Sequence, residues 1–164
     1  MRKIILIFLI TVFSAGCATS ERGLATSQFY GYKNENFSHQ GKRVFVTALT
    51  TERANRSQYI ILRESLNTKL KSIGMSPVEK ISSPTDYVAI FDMEMDSHGD
   101  GYEKLYFLEF YSVTNGVINR STKLVDLTMK RTGMNMDVVA EGEAALSDIF
   151  SEFPRKSTYN TVKK

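Results

Sequence analysis

Apolar and polar positions along residues 29–154 follow two different periods, and the switch between them sets the architecture. Arg43-Val44-Phe45-Val46-Thr47-Ala48-Leu49 is rich in β-branched and aromatic residues and reads as an internal first strand. Tyr59, Leu62, Leu66, Leu70 and Ile73 then recur at steps of three and four, which places them on one face of a helix. Asn55 or Ser57 can cap its start, and Gly74 stands where a left-handed residue closes a helix. Lys69 and Lys71 suit its negative end, and Pro77 prevents its resumption.

Beyond the helix the period falls to two. Asp86 to Asp96 is a strand with Tyr87, Ala89, Phe91, Met93 and Met95 on one side, and Asp92, Glu94 and Asp96 on the other. Leu105 to Val113 is another. Asn115-Gly116 is a strong hairpin signal, because a type I′ turn wants positive φ at both central residues. A return strand lies within Val117 to Met129, Thr132-Gly133 makes a turn, and a last strand is expected near Met136 to Ala144. Leu146 to Phe153 is expected to form a short closing helix before Pro154. The expected fold is a single α+β domain over 29–154: a largely antiparallel sheet with one major amphipathic helix packed on one face. Phe29-Tyr30-Gly31-Tyr32 opens it, with aromatics to pack on the domain edge or touch a membrane interface. Residues 155–164 are polar and basic and read as a disordered tail.

The amino terminus follows a third pattern. Arg2 and Lys3 precede an unbroken apolar run, Ile4 to Phe13, and Ser14-Ala15-Gly16 supply small residues before Cys17. This is the layout of a secretory signal peptide over residues 1–16. As a helix the run covers about 15 Å, roughly half a bilayer's hydrocarbon core, too little for a permanent span. Residues 18–28 are small, polar and without apolar period, so 17–28 read as a tether with an end-to-end distance of about 20 Å.

Ser14-Ala15-Gly16-Cys17 resembles the lipobox of bacterial lipoproteins, with serine in place of the common leucine. The resemblance implies lipid on the Cys17 sulfur, removal of residues 1–16 and acylation of the new amino group. Two or three chains, at about 0.8 kcal/mol per buried CH₂, hold a protein on a membrane durably. Ala18 stands where an aspartate would resemble an inner-membrane retention signal, so the implied address is the outer membrane, with the domain facing the periplasm.

Composition adds exclusions. The chain has 164 residues, 42% hydrophobic and 24% charged, enough for one packed domain. Removing Arg2 and Lys3 with the signal peptide lowers the formal net charge from +3 to +1, which leaves no electrostatic footprint for nucleic acid. Cys17 is the only cysteine, so no intramolecular disulfide forms.

The layout also resembles the small domain-of-unknown-function lipoproteins of Gram-negative bacteria. The shared pieces are Gly31-Tyr32-Lys33 ahead of the first strand, a helix ending in glycine, Asp86-Tyr87-Val88 opening a strand and a closing Phe153-Pro154; the stretch between the Ala140-Glu141-Gly142 strand end and Phe153-Pro154 is compressed relative to that family. That family brings no catalytic residues to carry over.

Candidate chemistry is sparse. Gly41-Lys42-Arg43 is not a phosphate loop, since Asn36 and Arg43 occupy positions that need glycine and a hydroxyl. No G-x-S-x-G occurs, and His39 and His98 do not form a helical zinc pair. Asp92 to Glu103 does place acids at positions 1, 3, 5, 9 and 12 of a twelve-residue window, like a calcium loop. Ser97 stands where that loop needs glycine, and the alternation of methionine with acid reads as a strand. The expected function is therefore a non-enzymatic, lipid-anchored module that binds or scaffolds an envelope protein, without cofactor. A metal-binding or enzymatic domain centred on Asp92–Glu103 is the alternative, and a small apolar ligand between helix and sheet is a third class.

Overall fold

In the computed structural model the described residues are 27–48, 55–98, 101–132 and 137–153. They form strands β1 (Ser27–Lys33), β2 (Arg43–Ala48), β3 (Ser76–Val78), β4 (Tyr87–His98), β5 (Gly101–Thr114) and β6 (Val117–Thr132). Two helices accompany them, α1 (Arg56–Ser72) and α2 (Val138–Glu152). The strands make one six-stranded sheet in the order β1-β6-β5-β4-β2-β3. β1, β6, β5 and β4 pair antiparallel, whereas β2 lies parallel to both β4 and β3. The fold is thus a single α+β domain with a largely antiparallel sheet, as the periodicities imply. The parallel part follows from α1, which carries the chain over the sheet between β2 and β4, as parallel strands require.

Helix α1 forms where its stripe predicts and is closed at both ends. Asn55 accepts from the Gln58 amide at 3.0 Å, and the Gln58 side chain accepts from the Asn55 amide at 2.9 Å, a reciprocal capping box. At the other end Met75 N–H reaches Leu70 O at 3.1 Å and Gly74 N–H reaches Lys71 O at 3.0 Å. Gly74 takes φ +88° to allow this, and Met75 buries its side chain beside the last turn. Leu62, Leu66 and Leu70 are fully buried against the sheet.

Four points of the expected layout need correction. Met136 to Ala144 is not a last strand: helix α2 begins at Val138, and Ala140, Glu141 and Gly142 lie in its first turns rather than at a strand end. Asp137 caps it, accepting from Val139 and Ala140 amides at 3.0 and 3.1 Å, which satisfies two amides that a helix start leaves open. The closing helix is accordingly 15 residues long, not a short piece from Leu146. Short β3, with Pro77 inside it, also adds an edge that the helix-stopping role of Pro77 does not reveal. At the amino end β1 starts at Ser27, two residues inside the segment assigned to the tether.

Both helices pack on one face of the sheet. Leu62 of α1 lies against Gly142 of α2, Ser65 bonds Glu143, and Lys69 bonds Ser147, so the helices run side by side in the same direction. Beneath them Val44, Val46, Phe91, Leu108, Phe110 and Leu127 of the sheet form the core with Ile149 of α2. Phe37, from the β1–β2 connection, closes its end against Tyr87, Phe110 and Phe153, with ring centroids 5.1, 5.2 and 6.0 Å away. Thr132-Gly133 and the tail 155–164 fall wholly or partly outside the described residues.

Candidate interaction surface

Strand alternation assigns the two faces of the sheet different chemistry. Lys104, Tyr106, Leu108 and Phe110 of β5 turn toward the helices and are buried. Leu105, Phe107 and Glu109 turn the other way and are half-buried. The same rule places Phe45 of β2, Ile90 of β4, and Thr128 and Lys130 of β6 on this second face. No described helix covers it. At its margin Tyr30 and Tyr32 of β1 are 51% and 42% exposed.

Cross-strand ion pairs frame the apolar positions. Lys130 Nζ meets Glu103 at 2.6 Å. Lys123 Nζ meets Glu109 at 2.5 Å and Asp126 at 2.7 Å, and the Tyr111 hydroxyl donates to Glu109 at 2.8 Å. This cluster sits where the β5–β6 register slips around Tyr111. Burial alone would lower the Lys123 pKa. Hydrogen bonds and charge from Asp126 and Glu109 outweigh it and hold the ammonium well above the ordinary lysine range. Burial, then the bond to Glu109, raises the Tyr111 phenol. The result is a face of fixed, paired charges around half-buried aliphatic and aromatic side chains.

The buried face has its own polar contact. Lys104 and the Tyr106 hydroxyl both donate to Glu141, the latter at 3.1 Å, and Arg131 reaches Asp148 of α2 at 3.2 Å. Burial first, and the Glu141 charge second, raise the Tyr106 pKa far above the usual phenol range, which suits an anchor rather than an acid. Between α1 and α2 runs an open groove of about 560 Å³ lined by the apolar Ile60, Ile61 and Leu146 and by the charged Glu64, Lys69 and Glu143.

The residues singled out by the sequence separate. Cys17 lies outside the described residues. Asp92 and Glu94 stand on the uncovered side of β4, on alternate positions about 7 Å apart along the strand. Asp92 accepts from the Met93 amide at 2.8 Å, while Glu103, in β5, is taken up by Lys130. Strands flank the 92–103 segment on both sides, where a calcium loop has helices. Among the described residues no group of three or more acidic, histidine or cysteine side chains is placed to hold a metal, and no helix is long and apolar enough to cross a membrane. The sheet face was missed in the sequence because its residues come from five strands; only the alternation in each could have pointed to it.

No family model and no curated protein matches the chain. Solved structures do resemble it. A PDZ domain protein from Parabacteroides distasonis is 9% identical with a TM-score of 0.56, over 82% of this chain and 38% of that one. The PelC dodecamer from Paraburkholderia phytofirmans is 14% identical over 77% of this chain and 96% of that one, with a TM-score of 0.46. A DUF4136 family protein from Bacteroides thetaiotaomicron is 8% identical with a TM-score of 0.52, over 78% of this chain and 96% of that one. At such identities the likeness is one of fold: this chain folds as a small α+β domain similar to a member of a family of unknown function.

Proposed function

We propose that the protein is a non-enzymatic module, anchored by lipid on Cys17 to the outer membrane and facing the periplasm, which binds a partner protein of the cell envelope. The observation that carries the reading is the sheet face that no described helix covers, where Phe45, Ile90, Leu105 and Phe107 are half-buried among cross-strand ion pairs. Its margin is β1, the strand that the tether from Cys17 enters. A face that keeps apolar groups partly open while pairing its charges can be desolvated by a partner without burying lone charges. The membrane attachment is supported by the resemblance of Ser14-Ala15-Gly16-Cys17 to a lipobox.

The test places a photo-reactive residue at Phe107, or at Ile60 on the helix side as control, in the full chain in cells. Phe107 is expected to give a discrete protein adduct that Ile60 does not, and Cys17→Ser is expected to release the chain from the membrane and diminish that adduct. Unchanged membrane fractionation of Cys17→Ser sinks the anchoring; equal labelling from both positions sinks the binding face.

A further inference from the structure

The two edges of the sheet are unequal. On one side β3 is three residues long and contains Pro77, which has no amide to offer a neighbouring strand. On the other, β1 runs seven residues without proline, and Lys33, its last residue, is the only charged one. Among the described residues β6 is its only neighbour in the sheet. Short strands, proline and charge are the usual devices that stop edges from pairing, and β1 has almost none of them.

We propose that β1 pairs antiparallel with β1 of a second copy of this chain, about a two-fold axis at Tyr30, joining the two sheets into one. Tyr30 is the midpoint of Ser27–Lys33, so this register pairs all seven residues. It sets Tyr30 against the second copy's Tyr30 and Gln28 against its Tyr32, on the same face of the sheet. It sets Phe29, whose ring packs against the core, against Gly31, which has no side chain to obstruct the approach of the strands. It also sets Lys33 against Ser27, so the two lysines lie at opposite ends, about 20 Å apart. An isologous pairing of this kind closes on itself and, among the described strands, leaves only the proline-bearing β3 edges outermost. The axis is perpendicular to the strands, so both tethers can lead to the same bilayer. The nine residues between Cys17 and Ser27 span at most about 30 Å, which keeps both β1 strands close to it. The pairing does not require the lipid.

The experiment is oxidative crosslinking of the full chain in detergent, in Cys17 and Cys17→Ser backgrounds. Antiparallel partners directly opposite lie about 4.5–5.5 Å apart at Cα, within disulfide reach. Tyr30→Cys is therefore expected to shift to twice the chain mass on a non-reducing gel. Ile60→Cys, equally exposed on α1, is expected to stay at one. Tyr30→Lys, which opposes two ammonium groups at the axis, is expected to sediment as a monomer. Failure of Tyr30→Cys to link in protein with an unchanged melting temperature overturns the pairing, as does equal linking through Ile60→Cys. Linking of the unsubstituted chain through a free Cys17 thiol would count against lipid attachment only, because the Cys17→Ser background still reads the pairing.

Discussion

Glu141 shows how much of this structure rests on a single side chain. Its carboxylate takes both the Lys104 ammonium and the Tyr106 hydroxyl, each from the buried face of β5. Removing one partner of a buried pair leaves the other charge in a poorly solvated place, which costs more than the pair contributes. Glu141→Ala is expected to destabilise the domain by about 2–3 kcal/mol. Adding Lys104→Met should restore part of that by removing the stranded charge; denaturant melts of the three proteins check it, and no recovery in the double variant would show that packing, not charge, is lost. Nothing local in the sequence announces this pair, since the partners are 37 residues apart. Local chemistry was legible elsewhere. Asn115 and Gly116 take φ of 53° and 77°, the positive values their turn demands, and Asn55 caps α1 with its own side chain.

At the scale of elements, α1 and α2 differ in legibility for a reason that lies in their contact. The α1 stripe is leucine at every buried turn and is unmistakable. The α2 stripe is Gly142, Ala145, Leu146 and Ile149, half of it small residues. Val138-Val139 favour a strand by propensity and Gly142 weakens a helix, and the packing overrides both. The small residues are there because the helices approach closely: a Cβ on Gly142 would stand 2.7 Å from the Leu62 methyl carbon. Gly142→Leu is therefore expected to destabilise by about 1–3 kcal/mol through overpacking. Leu62→Ala should relieve the variant in a double-mutant cycle of thermal melts, and additive losses would place the strain elsewhere. The second half of α2 was legible as the closing helix from Leu146, and the Asp137 cap was the signal that could have shown its first half.

At the scale of the whole molecule, the contact between the β1–β2 connection and the end of α2 makes stability depend on pH. His39 packs there with its ring 6.2 Å from that of Phe153. Burial, and then the nearby Lys33 charge, lower its pKa below 6.5. The folded state thus prefers the neutral ring. The stability this contributes is complete above about pH 6.5 and is lost as pH falls through the lowered folded value. Melting temperatures measured from pH 7 to pH 5 should fall less steeply for His39→Gln than for the parent; parallel curves would assign the titration to another group.

The pairing of β1 with β6 also bears on when the molecule can become whole. β4, β5 and β6 follow one another in sequence with only two residues between each pair and can pair as soon as each is made. β1 is made first, yet Ser27 meets Arg131, about a hundred residues later in synthesis. For that interval the oldest strand waits without its neighbour, and the loop it must close is the longest in the sheet. Its place beside β6 is filled last. In a crowd of nascent copies a β1 from another chain can take that place first, so dilution during refolding should govern whether chains finish singly or exchanged.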